Sequence, residues 1–270
     1  MYKTIDVDDM TGVILLLEEQ RYRPELKRYR SLHIYRGMPN ADFRLRTSLK
    51  RNCKDKSSLL EPMILANFTK YAALEDPAIE ESVWKQMILG QHHGLPTRLY
   101  DWSFSALTGL HFATSESNLD DIDKHDAVVW RIDVDELHAL LPEKYQKVMK
   151  EAGTTVFSLK MLESVCRDPV VYDADMNGEA MVIVEPPSID QRIINQYSFF
   201  SVIPSNMQSV EGFLRERTQK TVKYVIRKEI KWQIRDLLDQ LNVSERIVYP
   251  GLDGLSKWLA RHYYVREEII

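Results

Sequence analysis

Between Gln91 and Ala113 the chain reads QHHGLPTRLYDWSFSALTGLHFA, which crowds two adjacent His, an Arg, an Asp, a Trp and two Ser into one span. Upstream, Tyr35-Arg36-Gly37 closes a strand-like segment. An Arg at a strand end aims a planar, permanently charged fork at a phosphate or carboxylate, and a following Gly lets a ligand approach the backbone. The competing use of Arg36 is an ion pair with a buried acid such as Asp101. His92 and His93 are neighbours and point in different directions on a regular element, so a shared metal is not expected. Either ring could serve as a general acid or base near neutral pH, or cap a helix end. Arg98 and Asp101 flank apolar Leu99-Tyr100 and are expected to pair, because an isolated buried charge is costly. Ser103 and Ser105 stand at the entry to a helix, as caps or as contacts to an anion. Gln196 lies at the start of another strand-like run and can donate and accept hydrogen bonds but cannot act as a base. Arg192, four residues earlier, shares a face with it if the segment is helical. Glu179 and Glu185 are the nearest carboxylates in the chain.

The elements that must position these residues follow from periodicity and punctuation. A helix is predicted over 8–29, stopped or kinked at Pro24. A short strand follows from Leu32 to Tyr35. Helices are expected over 61–74 and 77–90, each beginning near a Pro, the second ending on Gly90. An extended segment inside 94–103 leads to a helix from Ala106. Further strands are predicted at 126–133, 179–186, 196–204 and 221–228, then an amphipathic helix at 229–242 and a last helix within 249–264. In that last helix Leu252, Leu255, Trp258 and Leu259 are expected to pack on the core. Strands and helices mix without a βαβ rhythm, which predicts an α+β fold: a small mixed or antiparallel sheet core with flanking helices. The chain divides into an N-terminal helical segment (1–29), a core (30–205) and a C-terminal strand–helix portion (206–270) packed on it.

The 270 residues are 44% hydrophobic and 28% charged, enough to bury a full core. A net charge of −4 gives no global reason to bind nucleic acid non-specifically. Cys53 and Cys166 show no metal-binding spacing and read as free thiols in a reducing compartment. Acids near the N-terminus and a short apolar run (13–17) argue against a signal peptide or a membrane span, so a cytoplasmic protein is expected. No GxGxxG, Walker loop or G-x-S-x-G elbow is present.

Four blocks, YRG (35–37), the 91–113 span, PPSIDQRIINQYSFF (186–200) and VYPGLDGLSKWLARHYY (248–264), occur in an order and spacing that resembles the FRG domain family, named for its Phe/Tyr-Arg-Gly motif. The resemblance covers roughly residues 30 to 265. That family is widespread in bacteria and phages, and its layout is similar to that of ADP-ribosyltransferases. The resemblance implies an NAD-dependent ADP-ribosyltransferase or NAD glycohydrolase, acting as a toxin or phage-defence effector. Arg36 would then bind NAD, Ser103 would fix the ribose and Gln196 would occupy the third position. Tyr35, Gly37, His92, His93, Arg98, Asp101 and Arg192 would line the ligand site, without a metal. Gln196 supplies a hydrogen bond but not the negative charge that an oxocarbenium-like state needs, and the E-x-E pattern is absent. Ser198 stands where the family commonly has Gly, and Ser105-Ala106 where Asn-Pro is common. The missing Glu supports the alternative, a non-catalytic module that binds a nucleotide or a partner. The acceptor, whether nucleic acid or protein, is left open.

Overall fold

The computed structural model describes residues 1–266. Ten strands are present among them: β1 (Lys3–Val7), β2 (Tyr22–Arg23), β3 (Arg28–Tyr29), β4 (His33–Met38), β5 (Leu99–Ser103), β6 (Ala127–Asp133), β7 (Phe157–Ser158), β8 (Val182–Glu185), β9 (Ser198–Val202) and β10 (Val222–Ile226). Eight of them form one sheet in the order β1-β10-β6-β4-β5-β9-β8-β7, while β2 and β3 make a separate hairpin. The centre is antiparallel and the two edge pairs, β1 with β10 and β7 with β8, are parallel. The architecture is therefore α+β, a mixed eight-stranded sheet flanked by helices.

The sheet is larger than the small core expected. One added edge strand, β1, comes from the segment read as helical. The helix there spans only Met10–Glu18, with Asp9 accepting from the Gly12 amide at its start. Beyond it Gln20 and Ser31 clasp the chain, each accepting from the other's side through a backbone amide, and Pro24 sits in the hairpin turn rather than in a helix. Two further boundaries differ. The helix expected from 61 begins at Ser57 and holds Pro62 inside. The helix expected to end at Gly90 continues to His92, after a 3₁₀ turn at Pro77–Glu81. Gly90 serves close packing, because a Cβ there would lie 2.6 Å from Leu95 Cδ2, and the reversal is made by Gly94 at φ +83°.

Alternation sorts side chains onto two faces. Ile34, Met38, Tyr100, Trp102, Trp130 and Ile132 share one apolar cluster. On the other face Tyr35, Val129 and Tyr224 pack with Leu110 and Ala113 of the helix Ala106–Ala113. Leu99, Val182, Val184, Phe200 and Val202 pack with Trp84 and Tyr172. The helix lies so close to β4 that a Cβ on Gly37 would meet Gly109 O at 1.8 Å and Ala113 N at 2.5 Å. The Gly of Tyr35-Arg36-Gly37 is thus required by helix-on-strand packing. The last helix, Leu252–His262, departs from expectation: Leu252 is 79% exposed, and Leu255 and Leu259 are also exposed. It is held by its other side, through Gly254 pressed on Tyr249 O and through the buried Arg261.

Candidate functional site

Strand β4 pairs with β6 along its whole length, but with β5 at one position only, Tyr35 opposite Ser103. Past that point the two strands diverge, and backbone groups on their facing edges lose their ladder partners. Arg36 fills the opening. Its Nη1 donates to Asp101 O at 2.7 Å, and its guanidinium lies 3.9 Å from the centroid of the Tyr100 ring. The Asp101 carboxylate is 3.5 Å from the same Nη1 and accepts from Gln91 Nε2 at 2.9 Å; Gln91 is fixed in turn by Thr97 Oγ1. Burial pushes the Tyr100 hydroxyl up, against the pull of the nearby Arg36 and Arg51 charges.

Arg36 opens onto a cleft of about 1190 Å³. It is lined by Gly37, Met38 and Pro39 and by the end of the helix Ala106–Ala113 with His111, Phe112 and Ser115 to Leu119. The chain around 42–51 adds Phe43, Arg44, Arg46 and Arg51 to the lining, and Glu245, Tyr249 and Lys257 complete it. Arg44, Arg46, Arg51 and Lys257 join no ion pair among the described residues. The His111 side is rigid. His111 Nδ1 accepts from Arg235 Nη1 at 3.0 Å, Arg235 also pairs with Glu245, and Arg261 bridges Glu245 and Asp239. Burial, reinforced by Arg235, lowers His111 to about 3, so the ring is neutral at physiological pH. Glu116, also in the cleft, has its carboxyl raised by burial, opposed by the Lys231 charge.

The residues singled out in the sequence fall into three places. Arg36 and Gly37 line the cleft, and Tyr35, on the face of β4 opposite Arg36, packs under the helix Ala106–Ala113. Asp101 contacts Arg36 from beside it, and Arg192 sits over the Tyr249 ring at 5.2 Å while donating to His92 O at 3.3 Å. Ser103, Gln196, His92, His93 and Arg98 are not among the cleft's lining residues. Ser103 Oγ donates to Gln196 O at 2.6 Å, and Gln196 Nε2 donates to Val248 O at 3.0 Å. Ser105 caps the helix by accepting from the Thr108 amide. His92 pairs with Asp190, yet burial still lowers its pKa; His93 is exposed and its backbone N–H closes the helix on Leu89 O. Arg98 does not pair with Asp101. It engages Glu61 through Nε and Nη2 and Asp173 through Nη1 at 2.7 Å. Residues three apart in extended chain face opposite sides, so Arg98 and Asp101 are directed to different partners. Glu179 reaches Arg217 and Glu185 is exposed, neither at the cleft.

The sequence reading missed Arg44, Arg46, Arg51, Glu116, Tyr249 and Lys257. A signal for the first three was present: residues 44–56 hold six bases and one acid. Both free thiols, at Cys53 and Cys166, lie outside the cleft. Among the described residues no three His, Cys, Asp or Glu side chains converge on a metal-sized position, and no helix is long and apolar enough to cross a membrane.

Fold and site together define an α+β protein with a cation-lined cleft at a split between two sheet strands. Residues 31–122 match the FRG domain, so the chain carries that domain, with Arg36 and Gly37 inside it. The match contains the 35–37 and 91–113 blocks and ends before those at 186–200 and 248–264. It is not a separate structural unit, since β4 takes its main partner, β6, from beyond its end. No curated protein and no solved structure matches the chain.

Proposed function

We propose that the cleft binds a phosphorylated nucleotide, with NAD as the first candidate. The observation that carries this is the lining itself: Arg36, Arg44, Arg46, Arg51 and Lys257 face one space together with the rings of Phe112 and Tyr249. Guanidinium groups suit phosphate oxygens, and aromatic rings suit a base or a nicotinamide. At about 1190 Å³ the cleft is slightly larger than the roughly 300–1,000 Å³ of small-molecule sites, with room for a dinucleotide. In this reading Arg36 and Arg51 hold the phosphates, and neutral His111 forms part of a fixed wall.

Whether the bound nucleotide is also cleaved depends on a carboxylate in the cleft. Glu245 is committed to Arg235 and Arg261, which leaves Glu116 and the exposed Asp42. The engagement of Ser103 Oγ and Gln196 Nε2 with backbone carbonyls supports the second reading, a module that binds without turnover.

The test is calorimetric titration with NAD and with mono- and dinucleotides, alongside nicotinamide release, for the native chain, Arg36→Gln and Arg51→Gln. A charge-assisted contact is worth about 1.5–3 kcal/mol, so loss of either Arg should weaken binding by roughly 10- to 100-fold. Release that depends on Arg36 makes the protein an enzyme, and binding without release makes it a module. Absence of binding by every nucleotide, or an Arg51→Gln variant that binds as tightly as the native chain, overturns the proposal.

A further inference from the structure

The positive charge of the cleft does not stop at its rim. From Arg44 to Lys56 the sequence RLRTSLKRNCKDK carries six bases and one acid, in a chain whose net charge is −4. This segment runs from the cleft wall through the short helix Ser48–Cys53 into the turn Lys54–Lys56. Arg44, Arg46, Arg51, Lys54 and Lys56 are exposed and Lys50 is half-buried. None of the six forms an ion pair among the described residues, whereas Arg23, Arg98, Arg131, Arg227, Arg235 and Arg261 each hold at least one carboxylate. A strip with six bases to one acid and no ion pair repels itself, and a polyanion relieves that repulsion. Phe43 begins the strip and is 54% exposed.

We infer that the strip from Phe43 to Lys56 binds the phosphate backbone of a single-stranded nucleic acid and leads it toward the cleft. Successive phosphates match a row of cations spread along a segment, and unpaired bases stack on exposed aromatic rings irrespective of sequence. Phe43 at the start of the strip, and Phe112 and Tyr249 within the cleft, are the ring faces on that path. This inference does not rest on the nucleotide reading: Lys50, Lys54 and Lys56 lie outside the cleft lining, so the two can fail separately.

The experiment measures fluorescence anisotropy of a labelled single-stranded oligonucleotide of about twenty nucleotides, long enough for site sizes of about 4–16 nucleotides, titrated with the whole chain at several salt concentrations. With six cations engaged, log affinity should fall against log salt with a slope of about −4, from about 0.7 per phosphate on a single strand. Lys50→Gln/Lys54→Gln/Lys56→Gln should reduce that slope by about 2 and weaken binding at about 0.1 M salt by about a hundredfold, with the unfolding transition unchanged. Phe43→Ala should weaken single-strand binding while leaving the salt slope as it was. The inference is overturned if no oligonucleotide binds at low salt, or if the triple variant binds like the native chain. It is equally overturned if duplex of the same length, heparin or anionic lipid vesicles bind more tightly than the single strand. Retention of nucleotide affinity by the triple variant separates this outcome from that of the cleft.

Discussion

Removing Arg98 should unfold a large part of the protein's stability without touching the cleft. Its guanidinium is buried and shared between Glu61, whose side chain is 4% exposed, and Asp173, 15% exposed. Breaking such a pair by deleting one partner costs about 3–5 kcal/mol, because the other charge is left buried and uncompensated. Against a total stability of about 5–15 kcal/mol, Arg98→Met should therefore lower the midpoint of urea unfolding steeply. Neutralising the orphaned acid should restore part of the loss: Glu61→Gln in the Arg98→Met background is expected to recover about 2 kcal/mol, because a neutral buried group left unpaired costs about 1–3 kcal/mol against about 3–5 kcal/mol for an uncompensated buried charge. Equilibrium urea unfolding of native, single and double variants closes the cycle. Any nucleotide affinity should be unchanged in the folded Arg98→Met population, since Arg98 does not line the cleft. A loss under about 1 kcal/mol, or a double variant no more stable than Arg98→Met, would refute the argument that burial of Glu61 sets the cost.

Two further outcomes are expected. Gly37→Ala should cost more than about 4 kcal/mol or prevent folding, because the added methyl meets backbone atoms of a helix that cannot move singly, whereas Gly94→Ala, strained only by its positive φ, should cost about 1–2 kcal/mol. Comparable unfolding midpoints for the two would contradict the close packing of β4 on its helix. Burial also lowers His33 to about 4, His111 to about 3 and His138 to about 4. The folded state thus binds fewer protons than the unfolded chain, so stability is fully present above about pH 6.5 and declines as pH falls toward the lowered values. The loss is about 2 kcal/mol for each ring at pH 5. Urea unfolding between pH 7 and pH 5 checks this, and a flat profile in that window would show that the rings are not held neutral.

Much of the fold was legible in the sequence. β6 and β10, with their apolar or alternating patterns, and the helix Ala106–Ala113 lie within a residue or two of the periods that announced them. What failed did so where local pattern carries little information. β1 and β7 are short edge strands that exist because a neighbouring edge offered unpaired amides. The helix Leu252–His262 shows an apolar stripe, but a Gly and a buried Arg hold it instead. The candidate site was legible in fragments. Arg36 lines the cleft, and Ser103 and Gln196 meet each other away from it; all three are conspicuous by type and position. The bases at 44, 46 and 51 look in sequence like any solvated charge run, and only their shared orientation toward one space sets them apart.

The sequence by itself determined the mixture of elements, the absence of a dinucleotide or P-loop motif and the presence of the Tyr35-Arg36-Gly37 block. These depend on periodicity and on residue chemistry within a few positions. The tertiary structure alone decided which charges neutralise each other. Arg98 finds Glu61 and Asp173 instead of Asp101, and Asp101 goes to Arg36, a pairing the sequence had left open, while the cations from 44 to 56 find none among the described residues. Ion pairing depends on distances of a few ångströms between segments far apart in the chain, and those distances are set by strand order and by the single point of contact between β4 and β5.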